Sequence, residues 1–135
     1  MSVEKFHDAN NALIALVIRH DAKVSGINFI TPAENELQVG LMTRSENSPV
    51  LPHKHNLNVR EIQRTQEVLI IRTGMALVTV WGGVDYLKPE HKITVSRGDM
   101  IMFLDGAHKI DFLETTEILE IKQGPFISDL DKTYL

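Results

Sequence analysis

The amino-acid sequence predicts an all-β domain, built as a sandwich or a barrel. Turn-forming residues recur at short intervals along the chain, for example Ser25-Gly26, Thr73-Gly74 and Asp105-Gly106. The segments between these turns are short and rich in Val, Ile, Leu, Thr and Phe. Short β-prone segments alternating with turns are typical of a sandwich or a barrel.

Eight strands are expected from this pattern. The N-terminal part is ambiguous, because the Ala and Leu content of Glu4–Arg19 also permits a helix there; we favour a strand for its second half. The predicted strands are Leu13–Arg19, Leu37–Arg44, Glu67–Thr73, Met75–Trp81, Lys92–Val95, Met100–Leu104, Lys109–Leu113 and Ile118–Lys122.

Several of these strands are apolar on both faces, and two serve as examples. Val68-Leu69-Ile70-Ile71 and Met100-Ile101-Met102-Phe103-Leu104 show no alternation with polar residues. A strand with one face in water alternates apolar and polar side chains. We therefore expect one face to line the interior and the other to be covered by a second layer. That layer is either another part of the chain or a second subunit, as in a homodimer.

Composition excludes several classes of protein. The chain has 135 residues, 43% of them hydrophobic, which fits a single domain over residues 1–135. A net charge of -4 argues against nucleic-acid binding, and no Lys/Arg cluster suggests an anionic membrane surface. The apolar run 12–18 is too short to span a bilayer and lacks signal-peptide flanks, so a cytoplasmic protein is expected. With no cysteine, disulfides and thiolate ligands are excluded.

The most informative stretch is Pro52-His53-Lys54-His55. In an extended segment, residues two apart point to the same side. His53 and His55 would converge there while Lys54 faces water, and two imidazoles at this spacing can chelate one metal ion. A solvent-exposed loop with two unrelated histidines is an equally good interpretation of this stretch alone.

Two further residues extend the pattern. Glu67 opens an apolar strand, where a carboxylate is costly to bury unless it is paired. His108 shares a strand face with Ile110 and Phe112, whereas Lys109 falls on the other face. Taken singly, Glu67 is more simply a strand-end residue in water, and His108 a hydrogen-bonded core residue.

In combination, these residues resemble the two motifs of the cupin superfamily. His53-Lys54-His55, Glu67 and Gly74 are similar to the first motif, with six residues between Glu67 and Gly74. The second motif is represented by Gly98-Asp99 and by Asp105-Gly106-Ala107-His108, without the usual proline. The motifs and the strands around them cover about residues 49–122. The resemblance implies a cupin-type double-stranded β-helix, a jelly-roll barrel.

The spacing before Glu67 departs from the common cupin pattern. Eleven residues separate His55 from Glu67, more than that pattern has, so residues 56–66 are expected to bulge or to extend the strands. Glu61 is a nearer carboxylate, but the spacing to Gly74 favours Glu67.

The resemblance implies one divalent transition metal ion, Fe, Mn, Ni, Zn or Co, held by His53, His55, Glu67 and His108. It also implies an enzyme acting on a small polar molecule. The C-terminal segment 121–132 looks like that of small cupins that accompany polysaccharide or sugar-nucleotide biosynthesis. Isomerase, lyase and dioxygenase chemistry all stay open, and no catalytic residue is assigned. Arg60 and Arg64 are weaker candidates for binding an anionic substrate group.

Two alternatives dispense with the metal. In the first, the chain is a nucleotide-sugar epimerase or isomerase whose histidine acts as a general base near neutral pH. In the second, the barrel is a non-enzymatic module that binds a small ligand.

Overall fold

The computed structural model describes residues 2–83 and 85–135, and it confirms the all-β expectation. A single 3-10 turn at Asp129–Asp131 is the helical element of the described residues. The strands, in chain order, are β1 (Val3–His7), β2 (Leu13–Ile18), β3 (Gly26–Phe29), β4 (Gly40–Thr43), β5 (Glu67–Thr73), β6 (Met75–Trp81), β7 (His91–Ser96), β8 (Met100–Phe103), β9 (Ala107–Phe112) and β10 (Glu117–Lys122).

The strands form three antiparallel sheets. A five-stranded sheet has the order β1-β2-β8-β5-β10, and a three-stranded sheet has the order β7-β6-β9. The third sheet is the β3-β4 hairpin. Within residues 2–83 and 85–135, no helix has the length and apolar character needed to cross a membrane.

Every predicted strand overlaps an observed one, and β5 and β6 have the predicted bounds. Two strands were not predicted, β1 and β3. The apolar sequence pattern that predicts a strand is weak in both. The reason is that β3 is exposed along its whole length and β1 buries none of its residues fully. The predicted strand 37–44 is shortened to Gly40–Thr43.

The helical alternative for residues 4–19 is wrong, because a turn divides this segment into the hairpin β1-β2. The Asp8 carboxylate accepts hydrogen bonds of 2.9 Å from the backbone N–H groups of Asn10 and Ala12. Asn11 adopts a left-handed conformation with φ of 63°. Asp and Asn side chains commonly stabilise such turns at the expense of a helix.

The central strands β5 and β8 bury both faces, in two separate cores. Leu69, Ile71, Ile101 and Phe103 point toward the three-stranded sheet. The inner core between the two large sheets consists of Ile14, Ala15, Val17, Leu69, Ile71, Ala76, Val78, Val80, Ile93, Val95, Ile101 and Phe103. The outer core, on the opposite face, consists of Leu16, Ile18, Ile30, Val68, Met102 and Leu104.

The second layer over the outer core comes from the same chain. Ile30 is 6% exposed there, and Leu37, Val39 and Leu41 pack against the same cluster. These residues lie in and next to the β3-β4 hairpin. The two-sided apolar pattern of β5 and β8 is therefore explained without a second subunit.

Asp99 is a buried carboxylate that joins β2 to the turn between β7 and β8. It is 2% exposed, and its oxygens accept hydrogen bonds from the backbone N–H groups of His20 (2.9 Å) and Ser96 (3.0 Å). The Arg19 guanidinium lies 3.1 Å away and also pairs with Glu4. Burial acts to raise the pKa of Asp99, but these donors outweigh it and hold the pKa below the ordinary value of 3.8.

We expect Asp99→Asn to lower the free energy of unfolding at pH 7 by about 2–3 kcal/mol, since an amide cannot accept from all three donors. A depressed carboxylate pKa contributes stability above the unfolded-state pKa and loses it as pH falls through the folded-state pKa. The difference in free energy of unfolding between the wild type and Asp99→Asn, measured with urea, should therefore be smaller at pH 3 than at pH 7.

The control is Asp21→Asn, because Asp21 is an exposed aspartate that directly follows His20, one of the donors to Asp99. Its free energy of unfolding should change by less than about 0.5 kcal/mol. Equal effects of the two substitutions would contradict the role given to Asp99.

Candidate functional site

An open cavity of about 860 Å³ lies beside β5, β9 and β10. Glu67 and Leu69 of β5 contribute to one wall, and His108 and Ile110 of β9 contribute to another. The C-terminal segment 131–135 adds further lining residues, among them Lys132 and Tyr134. A concave, mixed apolar and polar cavity of this size suits a small-molecule ligand.

Glu67 and His108 meet at this cavity, although they are far apart in the chain. Nε2 of His108 lies 3.5 Å from Oε2 of Glu67, with side-chain exposures of 30% and 13%. The His108 ring stacks flat on Phe103, with centroids 3.8 Å apart and planes within 3°. The carboxylate and the inner-core phenyl ring thus hold the imidazole in one orientation.

The electrostatics of Glu67 favour its ionised form. The pKa of Glu67 is lowered, and the largest cause is the His108 imidazole as a hydrogen-bond partner of the carboxylate. Burial acts in the opposite direction. The electrostatic effects of His108, Lys122 and Lys132 lower the pKa of Glu67 further. The cavity therefore presents a charged carboxylate next to an imidazole.

Local geometry explains how the two side chains reach the cavity. Glu67 is the first residue of β5 and pairs with Lys122 at the end of β10. His108 is the second residue of β9, and it follows a tight turn at Gly106 with φ of 77°. A Cβ on Gly106 would lie 2.1 Å from the backbone oxygen of Trp81. Close approach of the turn to β6 thus requires a glycine, and it sets the position of His108.

His53 and His55 lie elsewhere. Residues 44–66 are all described, and none of them belongs to a helix or a strand. The two rings are 5.3 Å apart at an angle of 64°, and Nδ1 of His53 lies 2.8 Å from the Leu51 carbonyl oxygen. Both residues are exposed, and neither lines the cavity.

The four predicted ligands therefore form two pairs in the single chain. Within residues 2–83 and 85–135, no group of three or more His, Asp or Glu side chains is close enough to hold a metal ion. Each pair offers two donors: imidazole and carboxylate in the cavity, and two imidazoles in the segment 44–66. Four-residue metal ligation stays a prediction.

The two arginines differ in their surroundings. Arg64 is engaged with acidic side chains, 2.8 Å from Glu36 and 3.3 Å from Asp105. Arg60 is exposed within the segment 44–66. Substrate binding by either arginine stays a prediction, and Arg64 would first have to leave its two carboxylates.

Sequence reasoning missed three features of the site. Phe103 was assigned to the core alone, and its stacking on His108 has no local signal because the two residues lie on different strands. Lys132 and Tyr134 line the cavity, whereas the C-terminal segment 121–132 was interpreted only by its resemblance to small cupins. Trp81 also lines the cavity, although the sequence predicted only that it ends a strand.

Comparison with known proteins identifies no relative: no protein-family model, no curated protein and no solved structure matches the chain.

We expect Gly106→Ala to destabilise the fold by roughly 2–4 kcal/mol, from the left-handed backbone plus the contact with the Trp81 oxygen. The matched control is Gly26→Ala, because Gly26 has φ of 71° but nothing within 4 Å of its Cβ position. That variant should lose only about 1–2 kcal/mol. Denaturant unfolding of both variants measures the difference, and equal losses would show that the approach to Trp81 is not tight.

Proposed function

We propose that the chain is a cupin-type jelly roll that binds one divalent transition metal ion through His53, His55, Glu67 and His108. The ion would serve a reaction on a small polar substrate, such as a sugar derivative, held in the cavity. The observation that carries this proposal is the meeting of Glu67 and His108, from strands of two different sheets, at the wall of that cavity.

The fold supports the jelly-roll part of the proposal. Two antiparallel sheets enclose one inner core, and the sequence resemblance to cupins covers β5 to β10, which supply most of that core. The resemblance assigned Glu67 and His108 to different motifs, and these two residues are neighbours in space. Neutral imidazole and ionised carboxylate are the donors that borderline divalent ions prefer.

Other residues of the cavity would surround the bound ion and the substrate. A bound ion of this class polarises a carbonyl group or lowers the pKa of water. Phe103 holds the plane of the His108 ring, and Lys132 supplies positive charge beside Glu67. Tyr134 and Trp81 also line the cavity, and their side chains can contact the ring and the hydroxyl groups of a sugar.

We expect the purified protein, after a chelator has removed any metal ion, to bind about one Co²⁺ per chain. Visible absorption and elemental analysis measure the bound Co²⁺. Glu67→Gln, His108→Ala and the double variant His53→Ala/His55→Ala should each weaken Co²⁺ binding at least about a hundredfold, because even outer-shell changes cost ten- to a hundredfold.

The control is His7→Ala, since His7 is an exposed histidine on β1 and does not line the cavity. It should leave Co²⁺ binding unchanged. A wild-type protein that takes up neither Co²⁺ nor any ion found by elemental analysis would refute the metal proposal.

The Glu67–His108 pair also favours a second candidate function, a metal-free isomerase or epimerase. The pair is complete within one chain, and a carboxylate that orients an imidazole is a common arrangement for proton transfer. In this case His108 removes a proton from the substrate, while Glu67 stabilises the imidazolium that forms.

For this second function, the protein should turn over nucleotide sugars in the presence of a chelator. His108→Ala should lower kcat by about a hundredfold or more, whereas His53→Ala/His55→Ala should leave kcat unchanged. Exchange of substrate protons with D₂O, followed by NMR, measures the proton transfer directly. Retained exchange in His108→Ala would exclude His108 as the base.

A further inference from the structure

Residues 51–60, which we call the arm, have the sequence pattern of a half-buried strand. One set of alternating positions holds Leu51, His53, His55, Leu57 and Val59, and the other set holds Pro52, Lys54, Asn56, Asn58 and Arg60. Strict alternation of this kind predicts a strand with one face against a partner surface and one face in water.

The single chain gives the arm no such partner surface. The arm belongs to no sheet, and Leu57 and Val59 are 103% and 92% exposed. Leu51 is 73% exposed. A ten-residue segment with large apolar side chains fully in water is unusual for a stable surface, and it indicates that another surface covers the arm.

A matching open edge exists on β9. Among the described strands, β9 pairs with β6 alone, so its other side is free to accept a strand. Its cavity-facing side chains are His108, Ile110 and Phe112, and Phe112 is 58% exposed. Addition of an extended segment to such an edge supplies main-chain hydrogen bonds along the whole strand.

We propose that the arm of one copy adds as a strand to β9 of a second copy of this chain. The apolar set of the arm then covers the cavity wall, and His53 and His55 lie beside Glu67 and His108 of that second copy. This inference rests on the proposed metal site, and it explains why the single chain holds the four ligands as two separate pairs.

The position of the arm in the single chain favours β9 of a second copy over β9 of the same copy. After the arm, Gln66 is fully buried and donates to the Leu104 carbonyl, while its amide oxygen accepts from the Leu37 N–H. Arg64 binds Glu36 and Asp105 at the same end. At the other end, Arg44, next to β4, donates to the Ser48 carbonyl, a contact within the segment itself. None of the residues of the arm lines the cavity of its own copy.

Exchange of arms is reciprocal, because each copy carries one arm and one open edge. Two copies therefore close around a two-fold axis and leave neither element unpaired. The arm, β9 and the neighbouring cavity wall place about twenty residues of each copy in the contact, which is the size of a stable interface.

The first experiment measures the oligomeric state by sedimentation. The wild type should be a dimer at micromolar concentration, and Leu57→Ser/Val59→Ser should raise the dimer dissociation constant by about a hundredfold or more. The matched control Asn56→Ser/Asn58→Ser changes the opposite face and should leave the constant unchanged. A monomeric wild type, or equal effects of the two double variants, would overturn the exchange.

The second experiment uses heterodimers made from two differently tagged, co-expressed variants. One copy carries His53→Ala/His55→Ala, and the other carries Glu67→Gln/His108→Ala. If arms are exchanged, the heterodimer regains one intact site and binds one Co²⁺, whereas each homodimer binds none. If sites form within one chain, the heterodimer also binds none.

The two proposals fail in different ways. A wild type that binds Co²⁺ together with a heterodimer that does not would leave the metal site standing and overturn the exchange. A wild type without metal would remove the proposed metal function, and the sedimentation comparison would still decide whether the arm covers β9.

Discussion

The structure depends on one constraint, which is that β5 and β8 lie in the middle of the five-stranded sheet with apolar side chains on both faces. Each face must be kept from water, since burying apolar area is the main favourable term in folding. The three-stranded sheet covers one face and the β3-β4 region covers the other. The remaining elements are arranged around these two contacts.

The candidate site lies at one end of the inner core, and the packing of that core holds the site rigid. Phe103 is only 4% exposed and belongs to that core, yet its ring also forms the surface on which His108 stacks. Glu67 begins the strand whose next residues fill both cores. A carboxylate and an imidazole are thus held at the boundary between a packed interior and an open cavity. Groups positioned in this way need little rearrangement to bind an ion or to move a proton.

The arm shows a conflict between two levels of organisation. Its alternation of apolar and polar residues is that of a strand, but the single chain leaves it unpaired and exposed. Natural sequences usually agree with their structure at every level, so a local disagreement points to a partner or to a function. Both histidines of the His-Lys-His stretch fall within this segment, which links the disagreement to the site.

The sequence by itself determined the β class, the bounds of β5 and β6, and the side of its strand on which His108 lies. These features depend on local alternation and on turn residues, and both can be followed along the chain. It also indicated that β5 and β8 must be covered twice, because that requirement follows from their composition alone.

Only the tertiary structure decided which segment covers the outer core, that Glu67 and His108 meet, and that Phe103 supports the imidazole. It also placed His53 and His55 outside the cavity, which their spacing in the sequence did not indicate. Each of these features depends on which distant segments pair or pack together. Pairing of distant strands is set by the balance of the whole fold, so no short stretch of sequence carries it.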